Sequence, residues 1–526
     1  RTLRLNTSSQ NTGVGALALD QNTGYDNTAV GQGAIGGNGS GYGNAALGSF
    51  TLADNTGGHD NVALGYQASC DNTIGNYNFA VGFRALAKNQ SGSDNIAIGE
   101  CALFSATTNG NIAIGKQAMR DATTSIDNIA IGEYALREPG EACRNVVVGY
   151  NSMICNTGCY SVAIGNYLMN FTTNANCNVA IGYNIMQLCS ITGCNNIGVG
   201  HSIMTTLTNG DNNFGVGEGA LRAITTGSGN IALGYRALCK IDTENNNIGI
   251  GCYNQTNRTT GTDNVAMGQW VMYNQINGNY NVGIGTYSQC GTATGQGSNF
   301  GNVSIGHNSL RDLANANYNI AIGYQTADNI TSGCSNTVVG LCAMQQLITG
   351  CDNVAIGCRA GYGITGNSSV LLGNYAGYNA TGDNNLYIGN STTNQLVIGC
   401  FSDNTICNGG NNTAWDTSSD SRIKECAESI SGATLTLSQL NPVTFDYTSG
   451  YSEMRGWDDS RRICDYGFLA QEFETVFPQY VKCSEGYIST GTTVQDFRTI
   501  NSGHLIPVLV KAIQELEARI QVLESQ

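Results

Sequence analysis

The chain has 526 residues, a formal net charge of −15 and only 12% charged side chains, too few to cover the surface of a conventional globule of this length. The acidic balance excludes a nucleic-acid backbone as the main partner. No apolar run reaches the ~20 residues needed to cross a bilayer, so membrane insertion is not expected. A rod of stacked rungs avoids the charge problem, because Asn, Ser, Thr and Gly can coat it around a narrow apolar interior.

The chain begins at Arg1 without a signal-peptide pattern, which leaves processing or an upstream segment open, and residues 1–10 read as a lead-in. Residues 11–399 then repeat one motif, as in Asn95-Ile-Ala-Ile-Gly99, Asn111-Ile-Ala-Ile-Gly115, Asn128-Ile-Ala-Ile-Gly132 and Asn353-Val-Ala-Ile-Gly357. The closing glycines (Gly48, Gly65, Gly82, Gly99, Gly115, Gly132 and onward to Gly285) step by 16 or 17 residues, once by 18 (Gly182 to Gly200), with a slip before Gly306. A fixed short period of this kind predicts a parallel β-solenoid of about two dozen rungs. At a spacing of ~4.8 Å per rung the rod is on the order of 110 Å long. Four prolines in the whole chain, three of them Pro442, Pro478 and Pro507, suit continuous β pairing through the repeats.

Within each rung Asn, or sometimes Ser, opens in a turn where its side chain can bond its own backbone or an equivalent Asn one rung away. Ile/Val, Ala and Ile/Leu/Val form a strand, with the small Ala on the face opposite its neighbours. Gly allows a corner or a close backbone approach. A second short strand is expected to follow, often ending Ala-Leu or Ala-Met, as at Ala85-Leu86 and Ala118-Met119. Asp before the opening Asn, as at Asp94 and Asp127, reads as a solvated turn carboxylate and not as a calcium ligand.

Other signals in the repeats are weak. The twenty cysteines include no CxxC pair and no zinc-type cluster. Cys143 and Cys159, Cys177 and Cys194, and Cys334 and Cys351 fall one rung apart. Small buried or turn-packed thiols are the first reading, with inter-rung disulfides as the alternative. Gly31-Gln-Gly-Ala-Ile-Gly36 matches GxGxxG but lacks a βαβ unit. His59, His201, His307 and His504 are scattered, and no metal or other cofactor is implied.

The rung motif resembles the Asn-Ser-Val-Ala-Ile-Gly repeat of trimeric autotransporter adhesin heads, although the step here is longer. That resemblance implies a β-roll built as a homotrimer.

Residues 400–418 read as a linker or distal tip. From 419 to 526 prolines and charges reappear, and a separate α+β domain is expected. Ser419-Asp420-Ser421-Arg422-Ile423-Lys424 places a serine five residues before a lysine. Serine needs an adjacent base to act as a nucleophile, and a desolvated lysine amine can serve. By itself that pair is common and equally fits a solvated turn.

Its surroundings are more specific. Ser419, Asp420, Arg422 and Lys424 complete a Ser-Asp-x-Arg-x-Lys pattern. Leu440-Asn-Pro-Val-Thr-Phe-Asp-Tyr447, Gly467-Phe-Leu-Ala-Gln-Glu472 and Leu505-Ile-Pro-Val-Leu-Val-Lys-Ala-Ile-Gln-Glu-Leu516 follow in order. Together they resemble the intramolecular-chaperone auto-processing domain of phage tail spikes, endosialidases and related fibres. The resemblance implies that Ser419 attacks the carbonyl of Ser418 with Lys424 as general base, while Asp420 and Arg422 position the loop. The bond between Ser418 and Ser419 would then be cut in a single intramolecular turnover.

In the last segment Ile506, Leu509, Ile513, Leu516, Ile520 and Leu523 alternate at three and four residues, an a/d coiled-coil seam. Ile at a with Leu at d favours two strands by itself, whereas the resemblance implies three.

The reading as a whole is an all-β trimeric solenoid shaft with a small C-terminal α+β chaperone domain ending in a coiled-coil helix. Expected partners are two further copies of the chain, a host-surface receptor or glycan, and a virion or filament base. The expected setting is a virion surface or the extracellular space. A cellular adhesin or surface filament is the alternative. A glycan-cleaving spike is disfavoured, because the rungs carry no recurring carboxylate pair facing one groove.

Overall fold

The computed structural model describes residues 9–187, 191–255, 261–275, 277–291, 298–393, 395–402, 405–408, 428–449, 465–489, 492–500 and 502–525. The chain divides into two compact units, Arg1–Thr405 and Ile406–Gln526.

The first unit is a parallel β-solenoid of about 21 turns with rungs of about 17 residues. Each rung contributes one short strand to a common sheet, from Thr12–Val14 to Asn385–Gly389, and like residues stack on like. Ile96, Ala97 and Ile98 pair with Ile112, Ala113 and Ile114. The longer step before Gly306 keeps this register, since Val282, Gly283 and Ile284 pair with Val303, Ser304 and Ile305. The parallel run ends where Asn385–Gly389 pairs antiparallel with Gln395–Cys400.

Alternation along the strand decides which face is inside. The central Ala is fully buried in most rungs (Ala97, Ala113, Ala130, Ala163, Ala180), and the flanking Ile and Val lie on the outer face. Only a small residue fits, because the opposite wall brings in Leu103, Met119, Leu136 or Met153. Where that wall carries Ile185 or Ile203, the facing strand residue shrinks to Gly198 or Gly215. A Cβ there would stand 2.7 Å from Ile185 and 2.8 Å from Ile203.

Among the described residues the expected second strand forms only as the short parallel pair Cys155–Asn156 and Phe171–Thr172; in rungs such as that of Gly99 a bend takes its place. After the rung glycine the backbone turns tightly, with Cys101 at φ 55° and Leu103 at φ 49°. Inter-rung pairing nonetheless continues: Cys101 N–H donates back to the Phe83 carbonyl at 2.9 Å, and Leu103 N–H donates forward to Ala118 at 3.0 Å. A left-handed Leu costs about 1–2 kcal/mol. Complete burial of its side chain contributes about 1.5–3 kcal/mol, so the bend is sustained by packing.

Two ladders hold the rungs in register. The opening asparagines are buried, and in most rungs the side-chain carbonyl oxygen accepts twice from the next rung. Asn78 Oδ1, for example, receives both the backbone N–H and the Nδ2 of Asn95 at 3.1 Å. Asn95 Nδ2 also donates to the Thr108 carbonyl at 2.8 Å, so every polar group of the amide is used. Ser161 takes one place in this ladder, accepting from Asn178 N–H at 3.2 Å. Beside it, Gly99 sits at φ 133°, and a Cβ on it would lie 2.5 Å from the Gly115 carbonyl oxygen.

The GxGxxG stretch is part of a rung, following the strand Thr28–Val30. Three histidines lie in aromatic columns along the solenoid: His59 on Tyr42, His201 on Tyr183 and His307 on Tyr324. The cysteine pairs divide. Cys143 and Cys159 form an inter-rung disulfide, against the first reading, while Cys177 and Cys194 remain thiols.

Candidate functional site

The second unit is built around one small core. Ala433, Phe473, Phe477, Leu505, Val508 and Ala512 are buried there, with Leu437, Leu440, Phe468, Val476, Tyr480, Val481 and Ile500 packed against them. These residues come from a short helix (Ala433–Leu437), a second helix (Ala470–Val476), a hairpin (Val481–Ser489 with Thr492–Ile500) and a closing helix (Leu505–Glu524). Three of the segments that carry the resemblance therefore converge on a single core.

Their contacts explain the residues. Val443–Phe445 pairs antiparallel with Asp465–Gly467, matching Val443 to Gly467. A Cβ on Gly467 would stand 2.9 Å from the Phe445 ring, so glycine keeps that strand close to the aromatic side chain. Phe468, Phe473, Phe477, Tyr480 and His504 form a continuous chain of ring contacts, each pair with centroids 4.9–5.7 Å apart. The chain joins the second helix to the start of the closing helix. Arg498 of the hairpin donates to Glu474 of the second helix at 2.8 Å.

Glu515 ties the closing helix to the first one. Its carboxylate accepts from the N–H groups of Ala433 and Thr434 at 3.2 and 3.0 Å, and from the Thr434 hydroxyl at 2.8 Å. The Ala433–Leu437 helix has no capping side chain of its own, so a residue some eighty positions later supplies the acceptor. Bonds from Thr434 first, and from Ala433, hold the Glu515 carboxyl down at about 2. Sequence reading missed this role, for which no local motif exists.

The closing helix has two apolar faces. Leu505, Val508 and Ala512 point into the core. Ile506, Leu509, Ile513, Leu516, Ile520 and Leu523, the seam expected from the spacing, are all exposed within one chain. The solenoid has a similar surface. The outer strand residues form two aliphatic columns from rung to rung, with Val62, Leu64, Ile131, Ile164, Ile322 and Ile356 among those more than a third exposed. The alternation was legible in the sequence; that the larger residues face outward was not.

Ser418, Ser419, Asp420, Arg422 and Lys424 lie outside the described residues. Among the described residues no group of three or more His, Cys, Asp or Glu is placed to hold a metal ion, and no helix is long and apolar enough to cross a membrane. No curated protein matches the chain. Residues 419–482 match the peptidase family described as chaperone of endosialidase, which makes the stretch beginning at Ser419 similar to a self-cleaving, serine-peptidase-like chaperone.

Proposed function

We propose that this chain is the subunit of a homotrimeric viral or phage fibre for host attachment, whose C-terminal domain drives trimerisation and folding and then cuts itself off before Ser419. The observation that carries the reading is a chaperone-family match whose first residue, Ser419, is also the proposed nucleophile. The division runs as residues 11–399 for the shaft, 400–418 for the tip and 419–526 for the chaperone.

In this mechanism Lys424 takes the Ser419 hydroxyl proton as the oxygen attacks the Ser418 carbonyl. Asp420 and Arg422 shape the loop. Nucleophile and scissile bond are neighbours in the chain, so proximity supplies much of the rate and no substrate pocket is needed. Trimerisation is supported by the two unpartnered apolar surfaces, one on the solenoid and one on the closing helix. Rungs so alike can pair out of register, and aligning three chains at one end first removes that hazard. After cleavage the aligner is gone and unfolding becomes hard to reverse.

Intact mass tests the cut. Wild type should yield a fragment beginning at Ser419, and Ser419→Ala should yield one uncut chain of 55.2 kDa. Cleavage that persists in Ser419→Ala sinks the nucleophile assignment. A cellular adhesin or extracellular filament would use the same modules, and sequencing the neighbouring genes separates the two readings: tail or capsid genes for a fibre, secretion genes for an adhesin.

A further inference from the structure

Cys334 and Cys351 hold the same position in their rungs as the disulfide-bonded pair Cys143 and Cys159. Each lies two residues before the buried ladder position, which is Asn145, Ser161, Asn336 or Asn353. The backbone bond beside the pair is also the same. Tyr160 N–H donates to the Cys143 carbonyl at 3.0 Å, and Asp352 N–H donates to the Cys334 carbonyl at 2.9 Å. In the bonded pair this register sets the Cα atoms 4.6 Å apart, within the range that a disulfide spans. Cys334 Sγ lies 2.9 Å from Cys351 Sγ, and both residues are partly open to solvent.

We propose that Cys334 and Cys351 are a second inter-rung staple, closed by thiol–disulfide exchange with a small-molecule disulfide of the glutathione type. Cys351 makes the first attack. Its sulfur accepts both the Cys334 backbone N–H at 3.1 Å and the Cys334 S–H, and it attacks as the thiolate, the nucleophilic form of any thiol. That thiolate displaces one thiol from the oxidant and forms a mixed disulfide. Cys334 then gives up its proton, attacks the Cys351 sulfur and releases the second small thiol. Two protein thiols and one disulfide become one protein disulfide and two thiols, so atoms and electrons balance. Donation to Cys351 first, and then burial, push the Cys334 thiol up to about 11, consistent with Cys334 reacting second.

The same register argument excludes the neighbouring pair. Cys194 lies two residues before Asn196, but Cys177 lies one residue before Asn178, so the two are offset along the rung. Cys194 Sγ instead receives the Asn176 N–H at 3.3 Å.

The full chain, incubated with oxidised glutathione, quenched in acid, unfolded and alkylated, gives the test by peptide mass mapping. Cys334 and Cys351 should lose alkylation together and appear as one cross-linked peptide pair two hydrogens lighter. Reductant should restore both, and Cys177 and Cys194 should stay alkylatable throughout. Cys334→Ser should stop the reaction at a glutathione adduct on Cys351. Full alkylation of both residues in the wild type, a stable glutathione adduct there, or a bridge from either residue to another cysteine or another chain would each overturn the assignment.

Discussion

Glu515 accepts hydrogen bonds from both the backbone N–H and the hydroxyl of Thr434, joining the closing helix to the first helix of the C-terminal unit. Its carboxyl is held at about 2 against an ordinary 4.5. A depressed carboxylate contributes stability that is complete above its unfolded value and is lost as pH falls through its folded value. Glu515→Gln should therefore lower the Tm of this unit at neutral pH. The gap to wild type should start to narrow below about pH 4.5 and close near pH 2. A pH-independent difference in thermal melts would mean that the carboxylate charge is irrelevant.

The Asn ladder gives a graded prediction. Asn128 Oδ1 accepts the backbone N–H and the Nδ2 of Asn145, and Asn128 Nδ2 donates to Asn111 Oδ1 and the Ala142 carbonyl. Asn128→Ala leaves both buried Asn145 donors without their acceptor, which should cost about 2–4 kcal/mol locally. Asn128→Ser should cost roughly half of that, because a hydroxyl can still accept one bond, as Ser161 does from Asn178. Hydrogen exchange of the amides from Ile112 to Val148 reads both, and faster exchange in the Ser variant than in the Ala variant would contradict the ladder's role.

Most of the solenoid was readable from spacing, because stacking identical rungs forces a period that survives in the sequence. Asn95, Ala97 and Gly99 each recur for a reason that acts across one rung, and each was placed correctly. The bend after Gly99 was misread as a strand. Ala102-Leu103 is an apolar pair between turn-forming residues, and the left-handed φ of Leu103 follows only from the core space that its side chain fills. In the C-terminal unit, ordered segments pointed to one domain, whereas Glu515 pairs across a distance in sequence that no periodicity marks.

The outward columns predict assembly behaviour. Ile131 and Ile164 stand on the outer strand face, more than a third exposed, in rungs whose buried alanines already complete the core. Ile131→Asp with Ile164→Asp should leave the circular dichroism of the chain unchanged while light scattering reports a shift from three chains to one. Leu509→Asp with Ile513→Asp should have the same effect through the closing helix and should also reduce the yield of the cut product. An unchanged trimer in both double variants would rule these faces out as the interface.

Asp328 predicts a pH dependence of opposite sign. It is buried on the solenoid, with Arg311 Nε 3.3 Å from its Oδ1. Desolvation raises its carboxyl to about 6, an effect that Arg311 opposes and Asp312 reinforces. The Gln345 side chain and His307 also oppose the rise. A raised carboxylate makes the folded state bind the extra proton, so stability is greatest below the ordinary 3.8 and declines as pH climbs through about 6. Asp328→Asn cannot ionise and should flatten that decline, exceeding wild type by up to about 3 kcal/mol at pH 8. Removing the opposing charge in Arg311→Gln should steepen it. Urea melts between pH 4 and 8 separate these outcomes: parallel curves for wild type and Asp328→Asn would show that this carboxylate does not titrate in the range, and a flatter curve for Arg311→Gln would show that the guanidinium is not what holds the charge there.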